Sequence, residues 1–143
     1  MPTFEKSTGE LFTELKDEKN LSSWCEINRE EFVKPLNEYL LDLLEKKSLK
    51  RANVIRNSGL NREYGYRIFN GTGKNPSRPK ILALALAMEL NLEEVQYLLR
   101  YAGMGMLYPR NSWDAVIISA LEQKLSVMQT NELLNRLGEK PLL

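Results

Sequence analysis

Apolar side chains recur along this chain at three- and four-residue spacing, the period of helices facing a core. Leu11, Phe12 and Leu15 stand behind Ser7 and Thr8, either of which can cap a helix over 7–18 that Asn20 and Leu21 break. A second short piece, 21–28, carries Trp24 and Cys25. Pro35 suits a helix start, and Leu36, Tyr39, Leu40, Leu43 and Leu44 then form one stripe closed by Lys46 and Lys47. The run ILALALAMEL over 81–90 is apolar nearly all round and predicts a buried central helix. Asn91 caps another helix, with Glu93 and Glu94 in its first turn, Val95, Leu98 and Leu99 inward, and Gly103 as its end. After a turn-rich connector, Trp113, Val116, Ile117, Ile118 and Leu121 predict a further amphipathic helix. Ser126 caps a last one, with Leu133, Leu134 and Leu137 apolar and Gly138 as terminator. Nothing reads as a strand, and no internal repeat stands out.

The stretch from Ser48 to Gly71 organises the rest. Val54 and Ile55 give a first short helix its apolar side, and Gly59 fits the position after its end, where a positive φ is needed. Asn61 can cap a second helix, Glu63 lies in its first turn, and Ile68 and Phe69 supply its apolar end before Asn70 and Gly71 stop it. Helix, glycine turn and second helix make a helix-turn-helix pattern.

On Val54, Gly59, Leu60, Ile68, Phe69, Asn70 and Gly71, the stretch resembles the phage repressor and Cro family, also called XRE-like or lambda-repressor-like. That resemblance implies an all-α fold of five helices, here over 37–47, 50–58, 61–69, 79–90 and 92–101, and covers roughly residues 35–103. Residues 1–34 are then an acidic helical extension. Residues 104–143 are a C-terminal helical pair, for packing or for dimerisation. The family usually has a small residue where Ile55 stands and a branched apolar one where Gly65 stands. The exchange reads as compensatory, Ile55 filling the space that Gly65 leaves.

Charge sharpens the picture. The 143 residues carry a net charge of only +1, but it is segregated. Residues 1–45 hold eleven acidic and five basic side chains, whereas 46–110 hold twelve basic and four acidic. The positive charge therefore falls on the helix-turn-helix part, the electrostatic footprint expected of a DNA-reading face. A hydrophobic share of 43% is enough for a packed core.

The resemblance assigns roles position by position. Arg62, Glu63 and Tyr64 lie at the start of the third family helix, where base edges are contacted, with Arg67 one turn on. Arg62 and Arg67 are the best base readers, because a guanidinium pairs with guanine O6 and N7 through two hydrogen bonds. Asn70 joins them at the helix end. Lys50, Arg51, Tyr66, Lys74, Arg78 and Lys80 are the expected phosphate contacts, which fix register without reading sequence. One of Tyr64 and Tyr66 is expected to pack inward. The loop GTGKNPSRP over 71–79 reads as part of this backbone clamp. It is no nucleotide phosphate loop, since it lacks the four-residue glycine spacing, a Ser or Thr after the lysine, and a preceding strand.

The function implied is a sequence-specific, double-stranded-DNA-binding transcriptional regulator of bacterial or phage type, with the third family helix in the major groove. A homodimer through 104–143 is expected, against a monomer with a seven-to-nine-helix core. The alternative function is a protein-interaction or signalling module on the same fold with weakened DNA binding. The acidic, Trp-bearing segment 1–34 would then engage a protein partner, or cover the basic face. An enzyme is the third class and is not expected. The chain has no histidine and one cysteine, Cys25, so His-based catalysis, an internal disulfide and a zinc site all lack their groups. No catalytic residue, metal or cofactor is expected. No apolar run approaches the ~18 residues of a membrane span; with no signal pattern at the N-terminus, a cytoplasmic location is expected.

Overall fold

The structure is a computed structural model that describes residues 4–143, and among these it is helical throughout, without strands. The chain forms two compact units, one up to Lys34 and one from Pro35 to Leu143.

The first unit holds α1 (Thr8–Asp17), α2 (Leu21–Ile27) and a 3-10 turn, Arg29–Glu31. Ser7 and Glu10 form a capping box at the start of α1, and the Asn20 side chain accepts from Ser23 N–H at the start of α2. A polar knot around Glu14 ties these pieces together. Its Oε1 accepts from Lys6 Nζ at 2.9 Å and from Trp24 Nε1 at 3.0 Å, and Lys6 Nζ also donates to Asn28 Oδ1 at 2.6 Å. Those bonds, Lys6 first, hold the Glu14 carboxyl below its ordinary range. Trp24 is buried and meets Phe32 edge-on at 6.0 Å. The unit otherwise buries little: Phe12, Leu15, Leu21, Ile27, Phe32 and Val33 are exposed.

The second unit contains α3 (Leu36–Lys46), α4 (Arg51–Ser58), α5 (Arg62–Asn70), α6 (Arg78–Ala87), α7 (Leu92–Tyr101), α8 (Ser112–Glu122) and α9 (Val127–Arg136). The stripe on α3 is buried from Tyr39 to Leu44, and every residue of α6 from Ile81 to Leu86 is buried, which makes α6 the central helix. Around it, α4 packs on α5 and α6, α3 on α5, and α7 on α6 and α8. Tyr39 stacks on Tyr101 with ring centroids 4.2 Å apart, fixing α3 against α7. Burial, with Tyr97, Tyr101 and Glu94 nearby, pushes its phenol up to about 12.

The C-terminal pair belongs to this same core. Leu107, Val116, Ile117, Ala120, Leu121, Val127, Leu134 and Leu142 are buried in one cluster with the side chains of α3–α7. The tail returns as well: Lys140 C=O accepts from Trp113 Nε1 at 2.8 Å, and Leu142 N–H donates to Asn131 Oδ1 at 2.8 Å. The inner faces of α8 and α9 are therefore engaged within the chain.

Three helix ends use a left-handed residue other than glycine. Ser48, Glu89 and Lys124 have φ of 54°, 55° and 55°. Each is followed by a leucine whose N–H reaches back to close the turn: Leu49 to Leu44 C=O, Leu90 to Ala85 C=O and Leu125 to Ala120 C=O. This is the Schellman arrangement, which glycine normally occupies. The one after α6 also explains why that helix stops at Ala87, short of the Leu90 that its apolar run predicts. Left-handed geometry costs an L-residue about 1–2 kcal/mol, while glycine gives back about 0.5–1 kcal/mol in chain entropy. Ser48→Gly, Glu89→Gly and Lys124→Gly are each expected to stabilise the protein by ~0.5 kcal/mol, read as a rise in the urea midpoint at constant slope.

Candidate nucleic-acid interface

The interface is built on α5 and the ends of its neighbours. Gly59, at φ 78°, turns the chain after α4, and Asn61 Oδ1 accepts from Tyr64 N–H at 3.2 Å to start α5. Gly71, at φ 75°, ends it. A side chain at Gly71 would meet Asn37, whose Cγ lies 2.7 Å from the ideal Cβ position, so the start of α3 and the end of α5 approach closely. Asn37 carries no role in the sequence reading; its contact across the fold leaves no local signal.

Gly65 faces α4. A Cβ there would lie 2.5 Å from Ile55 Cγ2 and 3.0 Å from Ile55 Cγ1. Ile55 thus occupies the volume that a side chain at position 65 would take, the compensation that the sequence exchange implied. Ile68 and Phe69 complete the buried side of the helix.

The other side of α5 carries polar groups. Arg62, Glu63, Arg67 and Asn70 are exposed. Tyr64 and Tyr66 are both half-buried and packed at the edge of the core, where the sequence suggested that only one would turn inward. Each ring still offers a face to a cation. Lys80 Nζ sits 4.4 Å from the Tyr64 centroid, and the guanidinium carbons of Arg51 and Arg62 lie 5.0 and 5.9 Å from that of Tyr66. Arg51 Nη1 also donates to Asn70 Oδ1 at 3.2 Å. Lys50, exposed, precedes α4 without a side-chain cap bond. Lys74 is exposed in the loop after α5 and helps line a cleft of about 320 Å³ together with Asn37, Arg67 and Thr72. No carboxylate lines that cleft.

Arg78 is the exception among the expected phosphate contacts. Its Nε donates to Gly105 C=O at 2.9 Å, Nη1 to Asp114 Oδ1 at 2.8 Å, and Nη2 to Asp114 Oδ2 at 2.9 Å and Met106 C=O at 3.1 Å. All three nitrogens are engaged, so Arg78 is a staple between the start of α6 and the start of α8, and it leaves the phosphate set. Asp114 is buried and also accepts from Tyr108 N–H at 3.0 Å. Burial pushes its carboxyl up, but Arg78 and the Tyr108 N–H outweigh burial and hold it below the ordinary carboxylate range. The partner lies 36 residues away, too far for any sequence pattern to connect the two.

Among the described residues no helix is long and apolar enough to cross a membrane, and no group of three or more His, Cys, Asp or Glu is placed to hold a metal ion. Set against known proteins, the chain matches no family model, no curated protein and no solved structure.

Proposed function

We propose that the chain is a sequence-specific DNA-binding transcriptional regulator of bacterial or phage type. In this reading α3–α7 are a lambda-repressor-like helix-turn-helix domain, and α5 enters the major groove. The observation that supports it is the convergence of cations from three helices on α5: Arg51 of α4, Arg62 and Arg67 of α5 itself, and Lys80 of α6. Arg62 and Arg67 read base edges, Glu63 accepts from a base amino group, and Lys50, Lys74 and Lys80 meet phosphates. Arg51 and Asn70 act together, and Tyr64 and Tyr66 serve as platforms for the cations beside them.

The test is recovery of fragmented genomic DNA, sequenced, with an Arg62→Ala/Arg67→Ala variant alongside. The wild type is expected to recover a shared motif, and the variant to lose at least about tenfold in affinity for it. Equal, unspecific recovery by both proteins would overturn the reading.

The surface of the first unit favours a second reading, an interaction or signalling module. Six of the twelve exposed large hydrophobic side chains among the described residues lie between Phe12 and Val33. Such density suits a protein partner. This reading takes over if the wild type recovers no motif.

A further inference from the structure

The turn between α4 and α5 is held from outside the helix pair. Within it, the buried Ser58 hydroxyl donates to Ile55 C=O at 2.6 Å and accepts from Leu60 N–H at 3.2 Å. Two side chains distant in sequence lie against the residue between them. Leu143 Cδ1 is 3.2 Å and Val127 Cγ1 3.9 Å from the place that a Cβ would occupy on Gly59. The start of α9 and the segment after that helix, residues 139–143, therefore meet α4 and α5 at the residue whose positive φ makes the turn.

Few contacts hold this segment. Lys140 C=O accepts from Trp113 Nε1, Leu142 N–H donates to Asn131 Oδ1, and the Leu142 side chain is buried. Leu143 is 45% exposed and lines an open groove of about 900 Å³ with Arg56, Gly59 and Met128, so it rests on the turn without being sealed in. Gly138, at φ 72° with open space around it, joins the segment to α9 and serves as a hinge. Pro141 restricts the backbone beyond it, which lowers the entropy lost on docking.

We propose that residues 139–143 are a releasable strap. Docked, they hold the glycine turn and with it the start of α5; released, they leave the turn free to open locally. The equilibrium between the two forms links α8 and α9, which carry the strap's partners Trp113 and Asn131, to α5. A consequence for base reading rests on the DNA-binding function proposed above; the strap itself does not.

The experiment follows amide hydrogen exchange at Gly59 and Leu60, with Leu49 and Leu90, which close two other turns, as references. All variants are made in the full chain with Trp24→Phe, which leaves Trp113 as the only tryptophan. Leu143→Ala removes the contact with the turn but no core side chain. It should speed exchange at Gly59 and Leu60 by about threefold or more and leave Leu49 and Leu90 unchanged. Leu142→Asp releases the whole segment: Trp113 emission should move to longer wavelength, and exchange at Gly59 and Leu60 should rise by about tenfold or more. Affinity of Leu143→Ala for the wild-type DNA motif should fall by about threefold or more at an unchanged salt slope, because no phosphate contact is lost. Unchanged exchange at Gly59 and Leu60 in Leu143→Ala, or equal acceleration at all four amides, overturns the strap. This variant alone decides the case if Leu142→Asp does not fold. A shift of Trp113 emission in Leu142→Asp without faster exchange at the turn also overturns it. Faster exchange with unchanged motif affinity overturns the link to base reading and leaves the strap standing. Absence of any wild-type motif overturns the DNA-binding function and that link together, while the strap stands or falls on exchange.

Discussion

Asp114→Ala is expected to destabilise the helical unit by about 3 kcal/mol, because it leaves the Arg78 guanidinium largely buried with no counter-ion. The side chains are 26% and 7% exposed for Arg78 and Asp114, so water screens the pair only in part. Three further bonds depend on the same contact: Gly105 and Met106 C=O accept from Arg78, and Tyr108 N–H donates to Asp114. For a unit of this size, such a loss corresponds to a fall in Tm of roughly 10–20 °C. Arg78→Met/Asp114→Leu removes both charges and is expected to lie closer to the wild type than Asp114→Ala does, but short of it, because Gly105 and Met106 C=O and Tyr108 N–H lose their partners. If the chain binds DNA as proposed, the double variant should also keep the wild-type salt dependence of that binding. A slope lowered by ~0.9 would return Arg78 to the phosphate set.

The same pair sets a pH dependence. The folded-state value of Asp114 is depressed below its unfolded value of 3.8, and that of Glu94 below 4.5. For Glu94, burial raises the value, but the Asn91 backbone N–H and Lys47, 3.0 Å away, outweigh it. A depressed carboxyl contributes stability that is present above the unfolded value and lost as pH falls through the folded one. The wild type should therefore lose stability as pH drops below about 4. Asp114→Ala should show a shallower acid slope, with the part due to Glu94 remaining. An unchanged slope in thermal melts between roughly pH 2 and 6 would show that Arg78 adds nothing to the carboxylate's stability.

What could be read from the sequence was local. The stripe of α3, the all-round apolar run of α6 and the caps at Asn61, Asn91 and Ser126 are patterns within one turn or one helix, where residue type and backbone geometry are directly linked. Gly59 and Gly71 belong with them, because a positive φ has a residue that suits it. Ser48, Glu89 and Lys124 adopt the same geometry without that residue, and no local rule marks them. The burial of α8 and α9 in the common core was beyond reach for a different reason: periodicity says that a face is covered, not what covers it. At the candidate interface, the residue types around α5 were legible, but their couplings were not. Arg78 reads as a free cation until Asp114 is placed beside it, and Arg51 reads as a helix start until Asn70 and Tyr66 are.

The α4–α5 contact gives the sharpest test of packing, because one substitution should change sign with its background. Gly65→Ala alone adds a Cβ 2.5 Å from Ile55 Cγ2, well inside contact distance. Overpacking costs about 1–3 kcal/mol, and the helix propensity of alanine over glycine offsets ~1 kcal/mol of it. A net loss of ~1 kcal/mol is expected. Ile55→Ala alone should cost about 2–5 kcal/mol, toward the upper end, because the glycine opposite has no side chain to relax into the cavity. In the Ile55→Ala background the methyl added by Gly65→Ala keeps its helical advantage and borders that cavity, but still lies 3.3 Å from the Cβ of residue 55, so the same substitution should now stabilise by at most ~1 kcal/mol. The coupling between the two sites is therefore expected to be about 1–2 kcal/mol, above what independent sites show. Urea unfolding of the four proteins in the cycle measures it. Additive effects would mean that α4 and α5 shift apart to accept the new methyl, and the approach of the two helices would then be set by their glycine turn and not by this contact. Strong coupling would mean that the Ile55–Gly65 pair holds the crossing. Ile55→Ala/Gly65→Val, which exchanges the small and the branched side chain between the two helices, should then recover part of the stability lost in Ile55→Ala.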